Sequence, residues 1–390
     1  MQVINDGRHI ATKPIIGENM KIVFLISCIK DGGAEHVMSR LVNHWAEAGH
    51  EVAVGCFEPF CRETSRWILD SRIRLLKLWE LPKGKIAYRL AVRQLFRDLN
   101  PDVIASFLCG ANIFAVTYGK LLGRYRVILS ERGNPAQDTL TRGMQWKRKL
   151  LFRLADRFVC QTRQAEEFCI PYYHLDRGRC TVIPNPPPIP PQRPETAPRL
   201  LPKKAIVAAG RLMWHKGFDN LIDAFAVAGA KHPEWTLHIF GEGEDRQMLQ
   251  QKIDNSPTAG RIFLPGNTRK LAQLLPEAEI FALSSRSEGM PNILLEAMAA
   301  GCACAAFDCQ FGPQDIIQPE QDGLLVPAND TAAFAHALDR LMSDEALRHK
   351  LGEAAARKIR ALSVDDVFAR WDALLQEVTG ITAPPVPRRP

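Results

Sequence analysis

The chain has 390 residues, of which 46% are hydrophobic and 24% are charged, and its formal net charge is +7. This composition is typical of a soluble globular protein, and the length predicts about two domains. No apolar run approaches the roughly 20 residues that a membrane-spanning helix requires, and the ten cysteines show no Cys-x-x-Cys pair or other zinc-ligand spacing.

The predicted fold begins at Met20, after a loose extension over residues 1–19. The apolar run 22–29 is short and lacks a small-residue cleavage site, which argues against a signal peptide and favours a buried first strand. The first domain, residues 20–183, then alternates short β-branched runs with longer amphipathic ones. Strands are predicted at 21–27, 51–57, 102–108, 126–131, 157–162 and 181–185, and a helix at 34–49.

A proline-rich segment divides the chain into two halves. Residues 184–198 contain eight prolines in fifteen positions, which is typical of an extended, semi-rigid linker. We therefore place a linker at 184–201 and a second domain at 202–362.

The second half repeats the alternation of the first. Continuous apolar strands alternating with helices indicate parallel sheets that are covered on both faces. The fold class is therefore α/β, with two Rossmann-like domains that face a cleft. Strands are predicted at 205–210, 236–243, 261–266, 279–285, 303–307 and 323–327, with helices at 218–232 and near 291–300.

The C-terminal part is predicted to be helical. Residues 330–362 are expected to form two helices, and residues 363–380 a last helix that crosses back to the first domain. Residues 381–390 are expected to be a loose tail.

Two glutamates, Glu288 and Glu296, lie in the segment SSRSEGMPNILLEAMAAG (284–301). Pro291 suits the first position of a helix and Gly301 suits its end, so Glu288 lies on a loop and Glu296 inside the helix. Their carboxylates are expected on the order of 10 Å apart, which is too far to share a proton and is wider than a retaining hydrolase pair. They are predicted to contact two ends of one long ligand.

The helix start between these glutamates offers free N–H groups and the positive end of the helix dipole, at the edge of the sheet where such folds bind ligands. A nucleotide diphosphate-sugar fits this arrangement. In AAGRLMWHKGFDN (208–220), Gly210 ends a strand and is followed by Arg211 and Lys216. These two cations are expected to converge on the diphosphate and to stabilise it as it leaves.

These motifs resemble those of glycosyltransferase family 4, the retaining transferases of GT-B fold. The resemblance is carried by GRLMWHKG (210–217) and EGMPNILLE (288–296), and it extends through DGGAEHVMSRLVNHWAEAGHEV (31–52) and GPQDIIQPEQDGLLVPANDTAAFAHAL (312–338). The segments DGGAEHV and ILSERGNP (128–135) are similar to members that extend lipid-diphosphate-linked oligosaccharides or build exopolysaccharide.

The resemblance implies roles for individual residues. Arg211 and Lys216 would hold the diphosphate, Glu288 would contact hydroxyls of the donor sugar, and Glu296 would contact the ribose. These implications make Arg211, Lys216 and Glu288 the catalytic candidates. The remaining residues of the donor pocket would be Gly210, Gly266 (near the base), Gly289, Met290, Pro291 and Asn292.

The first domain contributes candidates on the other side of the cleft. Gly32 and Gly33 would let the backbone approach the donor or acceptor. Many family members have a histidine near the site that Ser130, Glu131 and Arg132 occupy here, so no catalytic histidine is assigned. Glu131 and Arg132 are instead candidates for polar contacts across the cleft.

Charge is distributed unevenly along the chain. Residues 1–183 hold 28 Lys and Arg against 18 Asp and Glu, a balance of +10, whereas residues 184–390 are at −3. Residues 62–97 are basic, and residues 145–158 are predicted to form an amphipathic basic helix. A solvated face is the plain interpretation. The functional one is docking on an anionic membrane through the helix residues Trp146, Leu150, Leu151 and Phe152.

We therefore expect a retaining transferase that moves a hexose or N-acetylhexosamine from a nucleotide diphosphate-sugar to a hydroxyl of a glycan acceptor linked to polyprenyl diphosphate. The resemblance to the family suggests uridine as the nucleoside, and therefore a UDP-sugar as the donor. The chain has no Asp-x-Asp motif, so neither a metal nor another cofactor is expected. We expect a cytoplasmic monomer or weak dimer, peripheral on the inner membrane face, that does not bind nucleic acid. A nucleotide-sugar epimerase and a non-enzymatic sugar-nucleotide sensor remain alternatives, whereas the lack of a GxGxxG motif disfavours a dehydrogenase.

Overall fold

The computed structural model describes residues 19–29, 32–59, 68–136, 141–189 and 198–381. The predicted N-terminal extension and C-terminal tail therefore lie almost entirely outside the described residues.

Seven strands of the described chain form the sheet of the first domain: β1 Lys21–Ile26, β2 Glu51–Cys56, β3 Arg74–Lys77, β4 Val103–Phe107, β5 Arg126–Ser130, β6 Arg157–Cys160 and β7 Cys180–Val182. They run parallel in the order β3-β2-β1-β4-β5-β6-β7. The inner strand β1 has the sequence KIVFLI and is buried beyond its first residue. Its apolar side chains fit a parallel strand that is covered on both faces.

Helices cover both faces of this sheet. They are α1 Gly33–Glu47, α2 Lys85–Leu99, α3 Cys109–Phe114, which continues into a π-helical turn at Ala115–Leu121, α4 Arg142–Phe152 and α5 Arg163–Tyr173. α1 packs on the face that carries Phe24 and Ile26. Helices α2 to α5 pack on the face that carries Val23 and Leu25.

Six strands of the described chain form the sheet of the second domain: β8 Ala205–Ala209, β9 Thr236–Phe240, β10 Ile262–Gly266, β11 Ile280–Leu283, β12 Ala303–Asp308 and β13 Leu324–Pro327. They also run parallel, in the order β10-β9-β8-β11-β12-β13. The associated helices are α6 Phe218–Lys231, α7 Arg246–Asp254, α8 Leu271–Leu274, α9 Asn292–Ala299, α10 Pro313–Ile316, α11 Thr331–Ser343 and α12 Glu345–Arg360.

The predicted class of two parallel α/β domains is confirmed. In each sheet the strand order reverses at the centre, between β1 and β4 in the first and between β8 and β11 in the second. Crevices at such reversals, outside the carboxyl ends of the strands, are the ligand sites of open α/β sheets. The loops after β1 and β11 are therefore placed to form a site.

Two elements within the basic stretch were not predicted, the edge strand β3 and the helix α2. β3 is four residues long with one buried side chain, and most of α2 is exposed, with only Val92 and Phe96 buried. Both elements lack a continuous run of apolar residues, the feature from which the strands of the two sheets were predicted.

The last helix, α13 Val364–Thr379, packs against the first domain. Trp371 and Leu375 lie in the same hydrophobic cluster as Phe24 and Phe107 of the first sheet. Its Asp372 accepts a hydrogen bond from Trp45 Nε1 at 3.1 Å and lies 2.9 Å from His44 Nε2. The chain thus passes from the first domain to the second and back again.

Residues 183–189, here termed the interdomain strap, connect β7 towards the second domain. Asn185, Pro186 and Pro187 are buried, and Arg40 Nη1 of α1 donates to the carbonyl oxygens of Pro186 and Pro187 at 3.2 and 2.8 Å. The first part of the predicted linker is therefore packed between the domains. Residues 190–197 lie outside the described part of the chain.

Within the described ranges, no helix combines the length and the apolar character needed to cross a membrane.

Candidate active site

The loop between β11 and α9, residues 284–291, lies at the carboxyl edge of the second sheet. α9 begins at Asn292, one residue after the predicted start, and Pro291 precedes it in an extended conformation with φ −72° and ψ 100°. Pro291 still contributes to the first turn, because its carbonyl accepts from Leu294 N at 3.0 Å. No side chain caps this helix start, so its N–H groups face the loop.

Lys216 and Glu288 meet at this edge although 72 residues separate them in sequence. Lys216 Nζ donates to Glu288 Oε1 at 2.7 Å, and Ser285 Oγ donates to the same oxygen at 2.6 Å. The two side chains of the ion pair are 19% and 9% exposed. A cation and a carboxylate thus lie together, largely shielded from water, at the loop that leads into α9.

Backbone contacts fix this pairing. Ser284 Oγ donates to the Lys216 carbonyl at 3.1 Å, and Arg286 N donates to the His215 carbonyl at 2.8 Å. Gly217 has a φ of +63°, and a Cβ there would overlap the Ser284 carbonyl. Glycine at this position therefore lets the two loops lie against each other.

Arg211, Gly210 and Gly266 lie at the same edge of the sheet. Gly210 follows β8 and its N–H donates to the Phe240 carbonyl at the end of β9, at 3.0 Å. Gly266 ends β10 with a φ of +85°. Arg211 is exposed, and its guanidinium is 4.0 Å from the Met213 sulfur. The structure thus places Arg211 beside the Lys216 loop without fixing its head group.

Arg286 stabilises the loop that carries Lys216, a role that was not predicted from the sequence. Its guanidinium donates to both carboxylate oxygens of Asp219 at 2.7 Å and to the Trp214 carbonyl at 2.7 Å. Burial would raise the pKa of Asp219, but the hydrogen bond and charge of Arg286 more than offset it and hold that pKa below its ordinary value. Because Trp214 and Asp219 flank Lys216, this brace stiffens the Lys216 loop.

The same loop contacts the first domain. Asn134 Nδ2 donates to Ser287 Oγ at 2.8 Å, and Asn292 Nδ2 donates to the Gly33 carbonyl at 3.0 Å. Gly33 begins α1, whose N-cap Gly32 provides no side-chain hydrogen bond. The uncapped N-terminal ends of α1 and α9 therefore meet across the cleft.

Gly289 and Met290 lie where this loop meets the first domain. A Cβ on Gly289 would lie 2.7 Å from the Arg132 carbonyl, so the close approach requires glycine. Met290 accepts hydrogen bonds from the interdomain strap through its carbonyl and its sulfur.

Glu131 does not make the predicted contact across the cleft. Its carboxylate is buried and accepts from Arg148 Nη2 of α4 at 2.9 Å, within its own domain. Burial raises the pKa of Glu131 despite the opposing charge of Arg148. The prediction was wrong because no local sequence pattern indicates that α4 turns the basic residue Arg148 inwards to meet this carboxylate.

Arg132 lies at the domain boundary, as predicted, but its side chain contacts the strap. It is buried, donates to Asn185 Oδ1 at 2.7 Å and stacks over the Phe107 ring at 4.2 Å. Burial lowers the pKa of Arg132 to about 9. Asn185 was not among the predicted site residues. The feature of the sequence that could have indicated Asn185 as a site residue is its position as a single amide within a run of prolines.

Glu296 lies in the second turn of α9 and faces the first domain. It lines a small recess between α9, α1 and the strap, with a volume of about 10 Å³. The recess has room for little more than one water molecule. Its other lining residues are His36, Val37, Arg40, Pro186, Pro188, Asn292 and Leu295.

The predicted membrane-facing residues of α4 are only partly exposed. Phe152 is in the core and Arg148 is buried, whereas Trp146 is 65% exposed. Phe152 was misplaced because α4 is amphipathic and turns this ring inwards. The larger exposed apolar pair is on α2, where Ile86 and Leu90 are 77% and 61% exposed.

No group of three or more metal-ligating side chains is found within the described parts of the chain. Six of the nine described cysteines are buried. Burial raises the pKa of three of these thiols, Cys56, Cys302 and Cys309, to about 12.

Two family models match the chain. The model described as Glycosyltransferase Family 4 matches residues 31–187, and the model described as Glycosyl transferases group 1 matches residues 194–358. Together they cover both domains, including the Gly32–Gly33 turn, Lys216 and the two glutamates.

Two named relatives are similar to this chain to different extents. An exopolysaccharide phosphotransferase of Streptomyces coelicolor is 38% identical over 176 residues, which cover 45% of this chain and 19% of that protein. The chain thus matches about a fifth of that protein's length. An α-1,4-N-acetylgalactosaminyltransferase of Campylobacter jejuni, whose name gives its acceptor as a glycan on PP-undecaprenol, is 25% identical over 368 residues, or 92% of this chain and 99% of that protein.

Solved structures show the same architecture. The HepE protein of Anabaena in complex with UDP-glucose superposes with a TM-score of 0.76 at 18% identity, over 92% of this chain and 100% of that chain. This likeness confirms the predicted GT-B fold.

Proposed function

The chain belongs to glycosyltransferase family 4, and we propose that it transfers a hexose or N-acetylhexosamine from a UDP-sugar to a hydroxyl of a glycan acceptor, with retention at the anomeric carbon. The observation that carries the proposal is the Lys216–Glu288 pair at the loop that leads into the uncapped α9 start. A cation beside free helical N–H groups suits a diphosphate. A carboxylate next to it suits the hydroxyls of the attached sugar.

Donor binding would use the following division of roles. Lys216 and the exposed Arg211 neutralise the diphosphate at the α9 start, and Glu288 accepts hydrogen bonds from sugar hydroxyls. Glu296 accepts a hydrogen bond from a hydroxyl of the ribose. Because the Lys216 ammonium group contacts Glu288 at 2.7 Å, it links the part of the site that binds the sugar to the part that binds the diphosphate.

In the transfer step, the bond between the anomeric carbon and the diphosphate oxygen breaks and a bond to the acceptor oxygen forms on the same face. The acceptor proton passes to the leaving phosphate oxygen. Lys216, Arg211 and the helix start stabilise the negative charge that develops on that diphosphate. Glu131, already held by Arg148, has no part in this step.

We propose that the reaction needs no metal ion, because Lys216, Arg211 and the helix dipole supply the positive charge. Activity that persists after treatment with a chelator supports this. Loss of activity that Mg²⁺ or Mn²⁺ restores contradicts it.

The acceptor is proposed to be a glycan on polyprenyl diphosphate. The name of the Campylobacter relative gives an acceptor of this kind for that enzyme. Such an acceptor is held at a membrane, and α2 offers a suitable surface. Ile86 and Leu90 lie one helical turn apart and exposed, among the exposed basic residues Lys85, Arg89 and Arg93. Apolar anchors flanked by cations favour the inner, anionic face of a membrane.

The test is incubation of the protein with a panel of nucleotide sugars and a lipid-linked acceptor extract, followed by mass spectrometry. Acceptor-dependent formation of UDP and of a glycosylated lipid supports the proposal. Isomerised nucleotide sugar formed without acceptor identifies an epimerase. Donor binding without any product across the panel identifies a sensor.

A further inference from the structure

The interdomain strap carries one buried polar side chain at the point where the two domains meet, Asn185. Its amide oxygen accepts from Arg132 Nη2 at 2.7 Å and from Gln161 Nε2 at 2.8 Å, and both donors belong to the first domain. Its amide nitrogen donates to the Met290 carbonyl at 3.2 Å and to Asn292 Oδ1 at 2.5 Å, and both acceptors belong to the second domain.

This arrangement uses every hydrogen-bonding position of a side-chain amide, two acceptor sites on oxygen and two donor sites on nitrogen. No other side chain of this length offers that pattern. The acceptor half of Asn185 faces the first domain and its donor half faces the second. Replacing the amide nitrogen by oxygen therefore removes the contacts with the second domain and keeps those with the first.

The orientation of the amide is fixed by Arg132. This guanidinium is buried, stacks on Phe107 and also contacts Ser130 Oγ at 3.5 Å. No carboxylate pairs with it within the described ranges, and burial is the cause of its lowered pKa. A buried cation without a counter-ion holds a carbonyl oxygen firmly, because desolvation strengthens the interaction. The Asn185 nitrogen is thereby directed at the second domain.

The second-domain partners belong to the proposed donor site. Met290 lies in the β11–α9 loop, two residues after Glu288. Asn292 begins α9, and its own amide nitrogen donates to the Gly33 carbonyl at 3.0 Å. Since Asn185 binds Asn292 Oδ1, it fixes which end of the Asn292 amide faces Gly33. The hydrogen bonds run from Arg132 through Asn185 and Asn292 to Gly33, the first residue of α1.

We propose that Asn185 is a positioning residue that holds the β11–α9 loop and the α9 start in the conformation that binds the donor diphosphate. It touches neither the donor nor the acceptor, and acts through Met290 and Asn292. This inference rests on the proposed function, because the loop it holds is the proposed donor site.

The substitution Asn185→Asp tests this by changing one atom. An aspartate keeps an oxygen for Arg132 and Gln161 and gives the buried guanidinium a carboxylate, so the melting temperature should equal or exceed that of the wild type. Its second oxygen would face the Met290 and Asn292 oxygens. If Asn292 turns its amide to relieve the repulsion, its contact with Gly33 is lost. With two neutral hydrogen bonds lost, the donor KM should rise about 10- to 100-fold.

The matched control is Asn43→Asp. The Asn43 amide also donates and accepts, but to two backbone groups of the first domain away from the cleft. It donates to the Ile68 carbonyl and accepts from Asp70 N. Its donor KM should equal that of the wild type. Asn292→Ala removes the next residue in this series of hydrogen bonds, at a half-exposed position, and should also raise the donor KM. This variant replaces Asn185→Asp as the test if Asn185→Asp does not fold.

The readouts are the melting temperature, the donor KM and kcat, and calorimetric binding of UDP. A raised donor KM and weaker UDP binding, at a melting temperature equal to or above that of the wild type, support the inference. A donor KM at the wild-type value, or one that changes only together with a fall in melting temperature, overturns it. If wild-type protein neither binds UDP nor transfers sugar, the proposed function itself fails. If the wild type is active and Asn185→Asp equals it, only the inference fails.

Discussion

Replacing Lys216 by methionine removes the ammonium group while keeping most of the side-chain volume. In the structure this ammonium lies 2.7 Å from Glu288 Oε1, and the two side chains are 19% and 9% exposed. Glu288 would retain the Ser285 hydroxyl as a donor. A hydrogen bond to a charged group contributes about 1.5–3 kcal/mol. With the remaining Ser285 bond and partial exposure, we expect the free energy of unfolding to fall by about 1–2 kcal/mol.

The effect on catalysis should be larger. Lys216 is proposed to stabilise charge on the departing diphosphate, and removing one such group from a preorganised site costs about 2.7–4 kcal/mol of transition-state stabilisation. We therefore expect kcat to fall about 10²- to 10³-fold while the protein stays folded. The assay is acceptor-dependent release of UDP, measured beside urea unfolding of the same preparation.

Lys204→Met is the matched control. Lys204 also forms an ion pair, with Glu234 at 2.9 Å, but both side chains are 44% exposed and lie at the opposite end of β8. Exposed pairs of this kind contribute about 0–1 kcal/mol, so neither stability nor kcat should change much. A Lys216→Met enzyme with kcat within about threefold of the wild type would refute the reasoning. It would show that the departing diphosphate does not require stabilisation by the Lys216 ammonium group.

Further predictions concern the ribose contact, the membrane surface and pH. Glu296→Gln should weaken calorimetric UDP binding about 10- to 100-fold through loss of a charged acceptor; unchanged affinity would contradict the ribose assignment. Replacing Ile86 and Leu90 together by glutamate should abolish co-sedimentation with anionic vesicles, whereas Val227→Glu, at an exposed position on α6, should not; equal binding by both would move the docking surface elsewhere. Burial lowers the pKa of His238 below its ordinary value of 6.5, so the unfolded chain takes up a proton that the folded chain binds only at lower pH. The free energy of unfolding should therefore decrease as pH falls through about 6.5, and His238→Gln should lessen this decrease in urea titrations; an identical pH dependence would show that His238 is not its source.

The parts of the fold that could be predicted share one physical property. Strands such as β1 and β11 are buried on both faces, so their sequences are continuous apolar runs bounded by glycine or polar residues. The edge strand β3 and the exposed helix α2 carry little burial signal, and both were missed. Burial against two neighbouring layers is what made an element recognisable.

The donor side of the site could be predicted because its residues lie within compact motifs. Lys216 and Glu288 each sit next to a strand end, and parallel strands place such ends at one edge. The first-domain side depends on contacts between distant segments. Glu131 turns to Arg148, and Arg132 turns to Asn185. Neither partner is specified by local sequence pattern, so these contacts emerge only from the packed structure.

The most direct test of the central claim is the mass of the acceptor product. Wild-type protein incubated with UDP-sugars and polyprenyl-diphosphate-linked glycan should yield an acceptor heavier by one sugar residue, with the new linkage retaining the donor's anomeric configuration by NMR. The Lys216→Met variant should yield almost none. A product heavier by a sugar phosphate, or no acceptor product from any nucleotide sugar that the protein binds, would contradict glycosyl transfer at this site.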